Sequence, residues 1–208
     1  MSDIWMQSLT GRAIDLVDPK ESEVDFREIA DTLAQINRYC GSAVKPCSVA
    51  QHTLIACDAA PDSVKPWVLL HDAHEARTTD ITTPAQKALE AIAGRLAPEH
   101  YIVEQWAKDL MRESIAYFKG AHDIAIHRAA GLPLPNEAMH KSIRLADLIA
   151  LQTERRDFLS PPPKPWAPEV EKHRPLPKVY RLRAAADVAD DLYARFRAYL
   201  PALARAHI

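Results

Sequence analysis

The sequence predicts an all-α fold: a helical bundle with a small N-terminal β hairpin and a proline-rich segment before the last helix. Three observations lead there. Apolar residues recur at three- and four-residue intervals through most of the 208 residues. Sixteen prolines against 5 glycines suit helices punctuated by proline better than turn-rich β structure. Ser, Thr, Asp or Asn precedes several of the periodic stretches, where its side chain can cap a helix start.

Residues 5–9 and 13–17 flank Thr10-Gly11-Arg12 and read as a hairpin within 4–17. Asp25 and Glu28 form a capping box, and Phe26, Ile29, Ala30, Leu33 and Ile36 follow at helical spacing. A helix is therefore expected over 26–39, with Arg38 and Tyr39 in its last turn before Gly41. Ser48 and Gln51 repeat the capping box, and Val49, His52, Thr53 and Ala56 share the face of the helix that follows. A third helix is expected from Ser63 to about Ala76, with Pro66 in its first turn.

Residues 77–83 read as a loop, with Thr83-Pro84 as N-cap and first residue of the next helix. Residues 98–118 form a long amphipathic segment through Ile102, Val103, Trp106, Leu110, Met111 and Ile115. Gly120 is expected to break it, leaving a short helix over 122–130. Pro133 and Pro135 open a helix over 136–158 whose apolar face carries Met139, Ile143, Ala146, Ile149 and Ala150. A polyproline-like strap over 160–178 and an amphipathic helix over 184–200 complete one domain, 1–208, with its core in 26–158.

The formal net charge of −2 supplies no basic field that would draw the chain to nucleic acid. No apolar run approaches the length of a membrane span, and Met1-Ser2-Asp3-Ile4-Trp5 lacks the features of a secretory signal. Cys40, Cys47 and Cys57 match no zinc-finger spacing, and an odd count argues against a disulfide framework. Reduced thiols in a cytoplasmic protein are expected.

The most informative stretch is Val68-Leu69-Leu70-His71-Asp72-Ala73-His74-Glu75. It begins as an apolar helix that needs burial, then places two imidazoles and two carboxylates within five positions, a costly set unless paired or bound to metal. On an α-helix, His71, Asp72 and Glu75 share one face. His52 lies 19 residues earlier, where a satisfied core histidine is the plainer reading. Asp147 interrupts the apolar run Leu145-Ala146-Asp147-Leu148-Ile149, and a salt bridge to Arg144 or Arg38 would account for it. Together, His52, His71, Asp72 and Asp147 are two nitrogen and two oxygen donors, suited to Mn²⁺, Fe²⁺, Co²⁺, Ni²⁺ or Zn²⁺. One such ion, with positions left for water and substrate, is the arrangement metal-assisted hydrolysis requires.

The ordered pattern His52, His71-Asp72, Asp147 resembles the H…HD…D signature of the HD-domain phosphohydrolases. Arg38-Tyr39, the run Ser48 to His52, and His71-Asp72-Ala73-His74-Glu75 followed by Asp80-Ile81-Thr82-Thr83-Pro84 are similar to the bacterial HD-domain 5′-deoxyribonucleotidases over residues 26–158. The resemblance implies an HD-domain bundle, one divalent transition metal ion held by His52, His71, Asp72 and Asp147, and hydrolysis of (deoxy)nucleoside 5′-monophosphates. It further implies proton transfer by Glu75, phosphate contact by Arg38, sugar contact by Asp80, and a homodimer. Within the same superfamily, triphosphohydrolase or pyrophosphohydrolase chemistry is the alternative; a non-catalytic metal- or nucleotide-binding regulatory module is the alternative of another class. Tyr39 stands where those nucleotidases have tryptophan.

His74 has no assigned role: it could support a ligand, donate to phosphate or lie at the surface. A second doublet, His122-Asp123, with His100 before it, is expected at exposed, helix-capping positions. His140 is expected away from the metal, Glu154-Arg155-Arg156-Asp157 as a solvated charged stretch, and the aromatic residues at helical spacing in the core. No glycine-rich phosphate loop is present, so phosphate binding would fall to the metal and Arg38.

Overall fold

The helix that carries His52 is buried on almost every face. In α2 (Val49–Ala59), every residue from Val49 to Cys57 is buried, as a helix apolar all round requires. The structure is a computed structural model that describes residues 2–97 and 101–204. It is all-α apart from one two-stranded antiparallel hairpin. Among the described residues no helix is long and apolar enough to cross a membrane.

Two apolar clusters flank α2. The first gathers Phe26, Ile29 and Leu33 of α1 (Phe26–Leu33), Leu69, Leu70, Ala73 and Ala76 beside them, and Leu192 and Phe196 of α9 (Ala185–Tyr199). Phe26 and Phe196 meet edge to face, with centroids 5.6 Å apart. The second joins Ile55 and Ala56 of α2 to Val68 of α3 (Lys65–Val68) and to Ala146, Ala150 and Phe158 of α7 (Glu137–Phe158). His52 thus emerges between the two clusters, on an element with little freedom to move.

Strands β1 (Trp5–Gln7) and β2 (Ala13–Asp15) pair with Met6 opposite Ile14, and Gly11 at φ 85° closes the turn. The hairpin is shorter than the expected 5–9 and 13–17, and only its Ile14 side reaches the core. Asp25 caps α1 by accepting from the Arg27 and Glu28 amides. Glu28 does not complete a capping box. Its buried carboxylate instead accepts from Ser8, Thr10 and Arg12 and fastens the hairpin to α1. Likewise Ser48 caps α2, whereas the Gln51 side chain donates to the Arg181 carbonyl at 2.8 Å and holds the C-terminal segment.

Several helix boundaries depart from expectation. Helix α1 ends at Leu33, not in the region of Gly41, and Arg38–Gly41 is a separate 3₁₀ turn with Tyr39 and Cys40 at φ 57° and 51°. The third helix is not continuous: after α3 the chain tightens, with His71 N–H bonding Val68 O, Ala73 N–H bonding Leu70 O and Glu75 N–H bonding Asp72 O, before α4 (Glu75–Thr78). Thr82 rather than Thr83 caps α5 (Thr83–Leu96). Helix α6 (Tyr101–Ala129) runs through Gly120 without a break; the missing Cβ there costs helix propensity but removes no hydrogen bond. The first half of α6 packs on α5 and leaves Ile102, Trp106 and Leu110 exposed, so these residues are not core, and neither is Trp5.

The proline-rich strap contains one helical turn, α8 (Pro168–Glu171), and lies along α7. Gln152 donates to Val170 O, and Arg156 to Leu176 O and Lys178 O. The short α10 (Pro201–Ala204) follows α9. All three cysteines are free thiols, Cys47 and Cys57 buried and Cys40 exposed.

Candidate metal centre

Helix α2 delivers His52, the 3₁₀-like segment after α3 delivers His71 and Asp72, and α7 delivers Asp147. The His52 and His71 Nε2 atoms stand 3.2 Å apart. Asp72 Oδ2 lies 3.5 Å from His52 Nε2 and 3.2 Å from His71 Nε2. Asp147 Oδ1 approaches His52 Nε2 at 3.3 Å, while its Oδ2 accepts from Arg144 at 2.9 Å, so the salt bridge and the site contact coexist. Donor atoms of His52, His71 and Asp72 all lie within 4.8 Å of one another, and these residues could hold a metal ion.

Hydrogen bonding behind the site aims the imidazoles. His52 Nδ1 is 2.7 Å from Glu154 Oε1, and His71 Nδ1 is 2.7 Å from the Val68 carbonyl oxygen. A carbonyl and an ionised carboxylate only accept, so the Nδ1 proton is assigned in both rings. When neutral, both Nε2 atoms then present lone pairs toward each other and toward Asp72, and that of His52 also faces Asp147. The electron-rich atoms of His52, His71 and Asp72 that converge here, with Asp147 Oδ1 against His52, repel unless a proton or a metal cation lies among them. The separations of 3.2–3.5 Å are close to the edges of a coordination shell: bonds of about 2.1 Å give edges of roughly 3.0–3.4 Å for octahedral and tetrahedral arrangements.

The titration behaviour has the same origin. Burial and Arg38 oppose the charged form of His52, but Glu154 and Asp147 outweigh them and hold its pKa up to about 10. Burial opposes ionisation of Asp147, yet His52 draws it down to about 2. Protonated His52 is therefore the alternative to a metal ion in the same place.

Glu154 is the residue that sequence reasoning missed. It is fully buried, and it receives His52, Arg38 Nε at 3.2 Å and the Tyr39 hydroxyl. The solvated-stretch expectation fails for it and for Asp157, whose buried side chain accepts from Arg156 and the Tyr180 amide, although Arg156 is exposed as expected. A signal existed: Glu154 lies two turns after Asp147 and four residues after the buried Ala150, on one helix face. Arg38 sits between Glu154 and Asp72, the latter at 3.6 Å, and its side chain is only 11% exposed.

Glu75 is buried beside Asp72, with Oε2 lacking a hydrogen-bond partner. Burial, then the charges of Asp72 and Asp80, push its pKa up to about 9. Asp80 is half-buried and also raised, first by burial, and it follows Thr79, a non-glycine residue at φ 60°, ψ 165°.

His122 and Asp123 lie inside α6, not at exposed helix-start positions. His122 is buried, burial depresses its pKa to about 4, and Asp123 Oδ1 meets His74 Nδ1 at 2.9 Å. His140 is exposed, as expected. His100, Pro98 and Glu99 fall outside the described residues.

No protein-family profile matches the chain. It is 30% identical over 138 residues to the uncharacterized protein YfdR of Escherichia coli (strain K12), a match covering 66% of this chain and 63% of that protein. It is 34% identical over 98 residues to the uncharacterized protein RCAP_rcc00048 of Rhodobacter capsulatus, covering 43% of this chain and 50% of that protein. The chain thus spans between half and two thirds of the length of the curated relatives it matches.

Proposed function

We propose that the chain is a divalent-metal-dependent phosphohydrolase acting on the phosphomonoester of nucleoside 5′-monophosphates, deoxyribonucleotides foremost. The observation that carries the reading is the convergence of His52 Nε2, His71 Nε2 and Asp72 Oδ2 at 3.2–3.5 Å, with Asp147 Oδ1 3.3 Å from His52 Nε2 and both imidazoles oriented from behind. The resemblance to HD-domain nucleotidases supports the substrate class. Mn²⁺, Co²⁺, Fe²⁺, Ni²⁺ and Zn²⁺ all suit this donor set.

When bound, the ion supplies a Lewis acid for a phosphate oxygen and makes hydroxide accessible near neutral pH. The chain supplies the rest. Arg38 is rigidly held by Glu154 and Asp72, and those contacts leave guanidinium N–H donors free for phosphate oxygens. Glu75, beside Asp72 and shielded from bulk water, handles the proton of the attacking water or the leaving 5′-oxygen. Asp80 accepts from a sugar hydroxyl.

The test is turnover of a panel of nucleoside mono- and triphosphates by protein loaded with each ion. Orthophosphate from deoxynucleoside monophosphates is expected. Tripolyphosphate from triphosphates would favour a triphosphohydrolase instead. No release from any substrate, by protein carrying stoichiometric metal, would leave a binding module and overturn the proposal.

A further inference from the structure

We infer that Asp72, His74 and Glu75 form a second divalent-cation site beside the first, with Asp72 shared between the two. The inference rests on the proposed reading of the first site and adds an ion to it. One donor atom from each of these three residues lies within 4.8 Å of the other two. His74 is 7% exposed and Glu75 5%, and among the described residues His74 Nε2 and Glu75 Oε2 are two of only four buried side-chain polar atoms without a hydrogen-bond partner. Leaving such atoms unsatisfied is costly, so their occurrence on neighbouring residues at one cluster calls for a ligand.

The backing of this cluster repeats that of the first. There, Glu154 receives His52 Nδ1 and leaves Nε2 for the site. Here, Asp123 receives His74 Nδ1 at 2.9 Å and likewise leaves Nε2 without a protein partner. A carboxylate behind an imidazole fixes its tautomer and raises its basicity as a ligand. The local backbone assists: in the 3₁₀-like winding, with Glu75 N–H bonded to Asp72 O, residues three apart stack, which brings Glu75 over Asp72. Asp72 has two carboxylate oxygens. Oδ2 faces His52 and His71, and the carboxylate as a whole can serve an ion on either side. The role of Glu75 in proton transfer is compatible, because ligation uses one oxygen and leaves lone pairs on the other.

Nitrogen and oxygen donors again specify Mn²⁺, Fe²⁺, Co²⁺, Ni²⁺ or Zn²⁺. Two ions sharing a carboxylate would clamp a phosphate between them, which suits phosphoester substrates.

The experiment is titration of metal-stripped full-length protein with Mn²⁺, followed by equilibrium dialysis with elemental analysis and electron paramagnetic resonance. Two ions per chain with an exchange-coupled spectrum are expected. His74→Ala and Asp123→Asn should each weaken the second ion at least tenfold and leave one uncoupled ion per chain; Asp123→Asn keeps the imidazole and guards against misfolding of the first variant, which circular dichroism monitors. One uncoupled ion in the unaltered protein overturns the second site and spares the first. Two ions retained by folded His74→Ala also overturns it. No bound ion at all overturns the proposed function itself.

Discussion

His52 Nδ1 and Glu154 Oε1 are 2.7 Å apart, joining the first turn of the buried helix α2 to the last turn-and-a-half of α7. This contact decides which ring nitrogen of His52 faces the site. Glu154→Gln keeps the side-chain volume but replaces an anionic acceptor by an amide, so the imidazole loses basicity and Arg38 loses its counter-charge. Metal affinity should fall roughly 10–100-fold, with little change in helix content. Competition against a fluorescent chelator measures it; an unchanged affinity would mean that Glu154 serves folding alone.

Loading the site must release protons. With Glu154 and Asp147 holding His52 up to about 10 against the opposing effects of burial and Arg38, Nε2 carries a proton at neutral pH that a metal ion has to displace. The sign for stability follows. Without metal, protonated His52 contributes stability that is complete below its unfolded value near 6.5 and is lost as pH rises toward 10. The Tm difference between loaded and metal-free protein should therefore widen over that interval. Calorimetric titration in buffers of differing ionisation enthalpy should show about one proton released per ion at pH 7.5. Uptake with no proton release would show that His52 enters as the neutral ring.

That His52, His71 and Asp72 come together, with Asp147 beside His52, was legible because ordered spacing and a carboxylate inside an apolar run survive in one dimension. Three further relationships were not. Glu154 lies beside Arg155, Arg156 and Asp157, and local charge density disguised a buried position whose partners are more than 100 residues away in sequence. Asp123 was read as a helix-start residue because Gly120 was expected to stop α6. Packing against α5 and the core carries the helix through, and so places Asp123 behind His74. The tightened winding between α3 and α4 was not read from the sequence, because Leu69, Leu70 and Ala73 favour an α-helix and the apolar lead-in pointed to one continuous helix; the 3₁₀-like bonds bring Glu75 over Asp72.

Glu28 predicts the acid limit of the hairpin. Burial disfavours its charge, but the Thr10, Ser8 and Arg12 donors prevail and lower its pKa to about 2. A depressed carboxylate stabilises the fold fully above its unfolded value near 4.5, and that contribution fades as pH falls from there toward 2. The shift corresponds to about 3 kcal/mol at most. Glu28→Gln should lose about 1–3 kcal/mol in urea unfolding at pH 7 and show a shallower decline of stability between pH 4.5 and 2 than the parent. Equal slopes in that window would remove Glu28 from the account of acid sensitivity.

Thr79 is held at φ 60°, ψ 165°, a region that is close to glycine-only and costs a side-chain-bearing residue about 1–3 kcal/mol. Its amide bonds to Glu75 O at 2.9 Å and its carbonyl accepts from the Ile81 amide at 3.1 Å, so the surrounding backbone enforces the conformation. The next residue is Asp80, the proposed sugar acceptor. Thr79→Gly would relieve the strain but add about 0.4–1 kcal/mol of unfolded-state entropy, for a net stabilisation of up to about 2 kcal/mol. The same glycine would widen the conformations open to Asp80. The expected result is a higher Tm together with a several-fold higher KM for deoxynucleotides, unchanged metal stoichiometry, and little change for a phosphomonoester that has no sugar. A rise in Tm with no change in KM would separate the strain from substrate recognition, and would leave Asp80 without the positioning that its place after Thr79 implies.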